Sequence, residues 1–226
     1  FNGMLDRLEH AFADQRQFLD DASHELRTPI TIVRGNLETL SEVPAERAAS
    51  MAVVLDELDR MGRLVEDLLT LARSDGPDFV VLGSVELSEL TLGVLTRARS
   101  LADRDWQLDE VGAGFFSADE QRVLQAMLQL AENAVAHTEP GDLIRIGSAI
   151  SGDSVDLWVH DSGPGIAPEQ RARVLERFVR AGTSRADGAG LGLAIVAGIA
   201  RAHHGEVVID DTDAGARVRL HLPVRG

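Results

Sequence analysis

The chain has no cysteine among its 226 residues. Disulfides, thiol nucleophiles and Cys-based metal sites are thereby excluded. Lysine is missing too, and all 22 basic residues are Arg. Without lysine there is neither a Walker-type phosphate loop nor a Schiff-base nucleophile. Any phosphate chemistry must rest on Arg, backbone amides, helix N-termini and a metal. Long apolar runs are also absent. The hydrophobic fraction is 44%, yet no run approaches the ~18 residues that a membrane span needs. A soluble piece without membrane contact is expected. Positive charge is scarce beside negative, and the net charge of −15 argues against a nucleic-acid partner, which requires a basic face. No internal repeat or low-complexity segment is found, and no signal peptide or lipidation motif is read in these residues, so any targeting information is expected to lie outside them. The first residue is Phe1 rather than Met, so a piece of something longer is expected. The length suits one large domain or two small ones.

What is present begins with two helical stripes. Phe18, Ala22, Leu26, Ile30, Val33, Leu37 and Leu40 recur at steps of three and four, the period of one helix face. His24 lies two residues from both Ala22 and Leu26, about 200° of helix rotation, and therefore faces away from that stripe. On this geometry alone an ordinary surface histidine is the plain reading. Pro29 follows in "SHELRTPI" although proline costs roughly 3 kcal/mol in a helix interior. "SEVPAER" (41–47) breaks the pattern, with Pro44 placed for a helix N-terminus. A second stripe runs through Met51, Leu55, Leu58, Met61, Val65, Leu68 and Ala72, and "SDGP" (74–77) ends it. Two long helices joined by a short turn cannot bury one broad apolar face alone. Pairing two such hairpins into a four-helix bundle is the simplest solution, which predicts a homodimer.

The pattern then changes. Residues 79–87 read as strand, 88–101 as helix, and about 106–117 as strand and turn. Asp119 is placed to cap a helix over 120–137. "LIRIGSAI" and "SVDLWVHD" read as a strand pair around "SGD". Glycine-rich loops, the helix "LGLAIVAGIARAHH" and the strands "GEVVID" and "GARVRLHLP" complete the chain. The expected fold is an all-α hairpin over 1–76 followed by an α+β two-layer sandwich over 77–226.

Three motifs could carry chemistry. "LQLAENAVAHT" puts Asn133 inside a helix, where propensity alone does not favour it. "DSGPGIA" (161–167) follows a strand, and "GAGLGLAIV" (188–196) leads into a helix. Glycines there let backbone approach a ligand and leave amides at a helix N-terminus for an anion. The dinucleotide fingerprint needs its glycines within a βαβ unit, a setting "GAGLGL" lacks. Taken singly, each glycine loop could equally be ordinary turn chemistry.

The ordered set "SHELRTP", "NAVAHT", "DSGPGI", "ERFVR" and "GAGLGLAIV" resembles the sensor histidine kinases of two-component signalling, over almost the whole chain. Residues 1–15 resemble the end of the signalling helix that follows a HAMP module. The resemblance implies a dimerisation and phosphotransfer hairpin, then an ATP-binding domain of the kind shared with Hsp90-type ATPases. It makes His24 the phosphoacceptor, Glu25 the base at its second ring nitrogen, and Thr28 the residue that orients a dephosphorylating water. Pro29 matches the family's helix-bending proline. In the second domain Asn133 would hold Mg²⁺ against ATP, Asp161 would accept from the adenine amino group, and Gly163 and Gly165 would keep the base pocket open. Gly188, Gly190 and Gly192 match the second glycine box, at the hinge of a lid over about 166–189. Phe178 would pack that lid, with Arg180, and less directly Arg185, toward the γ-phosphate. His137 is a further polar contact.

The chain departs from the family at Gln129, often Asn, and at Ala136, usually a phosphate-touching lysine. The implied function is ATP-dependent autophosphorylation of His24 and transfer to an aspartate on a response-regulator receiver domain, with phosphatase activity in addition. The implied location is the cytoplasmic part of an inner- or plasma-membrane sensor. The alternatives are an idle dimeric ATP-binding scaffold and a pure Hsp90-type ATPase.

Overall fold

In the computed structural model, residues 2–179 and 189–225 are described, without the side chains of 2–14. The chain divides into two compact units, Phe1–Leu69 and Thr70–Gly226.

The first unit is a helical hairpin. Helix α1 spans Asn2–Glu38 and continues through Pro29, while α2 spans Pro44–Arg73 with its proline at the first position, where the missing amide costs nothing. Ser41 Oγ accepts from Val43 N at 3.1 Å in the connecting turn. The apolar stripe read in α2 lies largely on the face that a single hairpin leaves open. Val54, Glu57 and Leu64 are buried, whereas Leu55, Leu58 and Val65 are exposed. The physical reason is that α2 carries apolar residues on two adjoining faces, and periodicity alone does not say which one meets α1. Ile30 and Leu37 of α1 are also about half exposed, at 51% and 49%. They line, with Val33, Leu58 and Met61, a groove of about 410 Å³.

In the second unit, strands β1 (Gly83–Glu86), β2 (Asp105–Val111), β3 (Phe115–Ala118), β4 (Leu143–Ser151), β5 (Ser154–Asp161), β6 (Glu206–Asp210) and β7 (Arg217–Pro223) alternate with helices α3 (Leu87–Ala98), α4 (Glu120–Ala136) and α5 (Gly192–Ala202). The main sheet has the order β2-β4-β5-β7-β6, and β1 pairs with β3 in a separate ribbon. All main-sheet pairings are antiparallel except β2 with β4. Strand alternation sends Ile144, Ile146, Val155, Leu157, Val159, Val218, Leu220 and Leu222 into the core, all nearly inaccessible. The helices pack on this side, α3 being pinned by Thr91 Oγ1 donating to Ser148 Oγ at 2.7 Å. The result is the two-layer sandwich read from the sequence.

Two boundaries differ from expectation. Residues 79–82 are not strand. Phe79 is instead buried beneath the Arg122 guanidinium, 4.3 Å from its ring centroid, and Val81 N donates to Asp119 Oδ2. The stretch read as one strand and turn over 106–117 is two strands in different sheets, with Gly112 and Gly114 between them. Helix α4 starts where its cap indicated: Asp119 Oδ1 accepts from Arg122 N at 3.1 Å.

Candidate functional site

In the hairpin, His24 and Thr28 are exposed and Glu25 is half-buried. Ala22, beside them on the inner face, is 8% exposed. The histidine thus stands outside the apolar seam, on regular helix, and a partner molecule can reach it. Thr28 is four residues on, which places it on nearly the same face.

In the second unit the site grows from the end of β5. Asp161 is the last residue of that strand and is only 5% exposed. Its Oδ1 accepts from Gly163 N at 2.9 Å and from Ala216 N at 3.2 Å. Burial pushes the carboxyl above its ordinary pKa, and the two amide bonds and the nearby His137 and His160 work against that shift. A buried carboxylate with both amides on one oxygen has its second oxygen to offer to a donor.

The glycines here answer to local space. A Cβ on Gly163 would strike the carbonyl oxygen of His137, so the loop after β5 passes directly against the end of α4. Gly165 has φ +79°, and a Cβ there would come within 2.8 Å of Gly215 O. His137 is the C-cap of α4, half-buried, with Ala136 exposed before it and Asn133 half-buried one turn earlier.

Gln129 lies one further turn back, and its Oε1 would stand 2.7 Å from a Cβ on Gly192. Gly192 opens α5, whose N-terminus no side chain caps. That leaves amides of the first turn for an anion. Gly190, at φ +70°, packs on residues 178–179, and Phe178 N donates to its carbonyl at 2.9 Å. Phe178 itself has φ +61°.

The structure therefore brings Asp161, Gly163, Gly165 and His137 together around the end of β5, and Gly192 against Gln129 on α4. Arg180, Arg185 and Gly188 lie outside the described residues. Sequence reasoning missed Gly215 and Ala216, which close on Asp161 from across the sheet. The available signal was the glycine in "DAGAR", read as the start of a strand although it forms the turn before β7.

A family profile described as Histidine kinase-, DNA gyrase B-, and HSP90-like ATPase matches residues 118–226, and one described as His Kinase A (phospho-acceptor) domain matches residues 14–77. The signal transduction histidine-protein kinase/phosphatase MprB of Mycolicibacterium vanbaalenii is 36% identical over 236 residues, covering 95% of this chain and 46% of that protein. The solved mycobacterial sensor histidine kinase MprB superposes with a TM-score of 0.56 at 30% identity, over 64% of this chain and 99% of the solved one. Histidine kinase ThkA, solved in complex with response regulator protein TrrA, gives a TM-score of 0.73 at 23% identity, over 89% and 59%. The chain spans about half the length of the curated relatives it matches.

Proposed function

Because the chain belongs to the sensor histidine kinases, we propose that it phosphorylates its own His24 from ATP and passes the phosphoryl group to an aspartate of a response-regulator receiver domain. The observation that carries this reading is an exposed histidine on a regular helix, together with a separate unit that buries Asp161 beside loops kept open by glycine. A phosphoacceptor that must meet both a nucleotide domain and a partner protein has to stand free of the core, as His24 does.

In this reading neutral His24 attacks the γ-phosphorus of ATP through one ring nitrogen. The bond from that phosphorus to the bridging oxygen breaks and ADP leaves with that oxygen, while Glu25 holds or accepts the proton at the other ring nitrogen. Asp161 accepts from the adenine amino group. The loops at Gly163, Gly165 and Gly190 let backbone lie close to the nucleotide, and the uncapped start of α5 offers amides to phosphate. Asn133 would hold Mg²⁺. The donor set fits a hard cation that prefers oxygen and keeps most of its shell as water and phosphate: half-buried Asn133 is followed back along α4 by Gln129, whose amide oxygen already faces the opening of α5. The bound ion would supply neutralisation of charge on the transferred group.

The hairpin works as a dimer in this proposal. The exposed Ile30, Leu37, Leu55, Leu58 and Val65 form the apolar surface that a second copy covers in a four-helix bundle. The name of the MprB relatives as kinase/phosphatase supports a phosphatase activity at the same histidine face. The location follows as the cytoplasmic portion of a membrane sensor; among the described residues no helix is long and apolar enough to cross a membrane.

The deciding experiment is incubation with Mg-ATP, followed by a test for acid-labile, base-stable phosphate and mapping of the label. Label on His24, absent in a folded His24→Gln variant, is expected. Unchanged labelling of that variant, or label on Ser or Asp, would refute the kinase reading. ATP binding with no label would favour the idle scaffold.

A further inference from the structure

Building on the nucleotide site proposed above, we infer that His203 is a positioning residue for it: the neutral imidazole pins the last turn of α5 to the amide that opens α4. His203 is the C-cap of α5 and is 3% exposed. Its Nδ1 lies 2.8 Å from Ile199 O, and its Nε2 lies 3.0 Å from Asp119 N. A backbone amide can only donate, so Nε2 presents its lone pair to Asp119. The ring proton then sits on Nδ1 and is donated to Ile199 O. One tautomer satisfies both nitrogens of a buried ring, and the cation cannot do so.

Asp119 is a junction in its own right. Its Oδ1 caps α4 through Arg122 N, and its Oδ2 accepts from Val81 N of the segment leading in from α2. The bond from its own amide adds α5 to that junction, across 84 residues of sequence.

The opposite end of the same helix pair is where the site begins. There Gln129 of α4 abuts Gly192 at the start of α5. The packed helices thus meet at both ends, through the hydrogen bond of Asp119 with His203 and the close approach of Gln129 to Gly192. Together these points set how far α5 slides along α4, and so where its uncapped N-terminus stands relative to Asn133. Loss of the His203 contact removes the hydrogen bond that anchors the end of this packing farthest from the site.

The pin is also sensitive to acid. A second proton on Nε2 would point at the Asp119 amide, donor against donor. The charged groups facing the ring are the Asp119 carboxylate at the head of α4, which favours the cation, and His204 on its own turn, which opposes it. Burial, the largest effect and aided by His204, outweighs the bond to Ile199 O and the Asp119 carboxylate, and holds His203 below its ordinary pKa of 6.5. The neutral form therefore supports the fold fully above pH 6.5, and that support is lost as the pH falls from there through the lowered value.

The test is Mg-ATP titration calorimetry between pH 7.5 and 5.5, on wild type, His203→Gln and His203→Ala. Glutamine can offer its amide oxygen to Asp119 N and does not titrate. The wild type should lose affinity on acidification by more than His203→Gln does, ATP's own protonation being common to both. His203→Ala, shown to be folded by circular dichroism, should bind roughly three- to tenfold more weakly at pH 7.5, as expected for one lost hydrogen bond. If the alanine variant does not fold, the comparison with glutamine decides, together with exchange of the Asp119 amide proton. Its protection factor, the rate relative to that of an open amide at the same pH, should fall on acidification in wild type and stay high in His203→Gln. Identical pH profiles for wild type and the glutamine variant, or wild-type affinity in His203→Ala, would overturn the inference alone. A wild-type protein that binds no Mg-ATP at any pH would overturn it together with the nucleotide reading.

Discussion

Gly215 is seated against the backbone of Asp161: a Cβ at position 215 would overlap the Asp161 carbonyl oxygen and lie 2.7 Å from its carbonyl carbon. Gly215 also has φ +74°. This close approach lets Ala216 N reach the Asp161 carboxylate, while Asp161 N donates to Ala216 O at 3.0 Å. Gly152 supplies the control, with φ +62° but open space around its missing Cβ. Gly152→Ala should cost only the left-handed backbone penalty of about 1–2 kcal/mol. Gly215→Ala adds a backbone overlap that no rotamer relieves, and should cost roughly 3 kcal/mol or more. Denaturant unfolding of the two variants measures the difference. Any Gly215→Ala protein that folds should also fail to bind ATP.

Asp161 sets function against stability. Burial raises its pKa in the folded protein, so folding favours the protonated form. Its contribution to stability is complete below the unfolded value of 3.8 and is lost as the pH rises through the folded one. At neutral pH the ionised carboxylate is therefore a cost. Asp161→Asn keeps an acceptor for Gly163 N and Ala216 N without the charge. The unliganded variant should melt at or above the wild-type temperature at pH 7, and the gap should narrow toward acid pH. Its ATP affinity should fall roughly ten- to a hundredfold, the worth of a hydrogen bond to a charged acceptor. A variant that melts lower at neutral pH and binds ATP normally would contradict both halves.

The elements legible from the sequence were those fixed by neighbouring residues. Asp119 before a periodic run marked the start of α4, and "SGD" marked the turn between β4 and β5. Contacts made across long stretches of chain left no local trace. Ala216 meets Asp161 over 55 residues and His203 meets Asp119 over 84, and neither appeared among the candidates. Pairing of β1 with β3 was hidden for the same reason, since "FVVL" is as apolar as a strand but its first residue fills the space under Arg122. In α2 the obstacle was different. Apolar residues on two faces give two acceptable stripes, and only the presence of α1 decides between them.

Thr28 offers a test within the hairpin. It is exposed one turn beyond His24 on a continuous helix, and in the proposed reading its hydroxyl orients water at the histidine face. Being on the surface, it should be removable without measurable loss of fold. Thr28→Ala should keep autophosphorylation from Mg-ATP within about twofold of wild type, a shift of under ~0.5 kcal/mol. Phosphate release from the phosphorylated regulator should drop about tenfold or more, as expected when one group that positions a reacting water is removed. Equal loss of both activities would point to a general defect in the helix.

Ala136 tests the placement of α4 against the phosphates. It is the last residue of that helix, exposed, and three residues past half-buried Asn133, so the two side chains share one side. The last turn of α4 contains no basic residue, and the chain has no lysine to place there. Ala136→Lys should tighten Mg-ATP binding by ~1 kcal/mol, a modest gain because the position is wet. A cation at a helix C-terminus also interacts favourably with the helix dipole, by about 0.3–1 kcal/mol, and would raise the melting temperature whether or not it meets a phosphate. Adenosine separates the two effects, since it lacks the charge being recognised. Tighter binding of ATP that weakens with added salt, with adenosine affinity unchanged, would place residue 136 beside the phosphates. Equal gains for ATP and adenosine, or a higher melting temperature with no gain in ATP affinity, would mean that the end of α4 faces elsewhere. The role proposed for Asn133 would then have to pass to another residue.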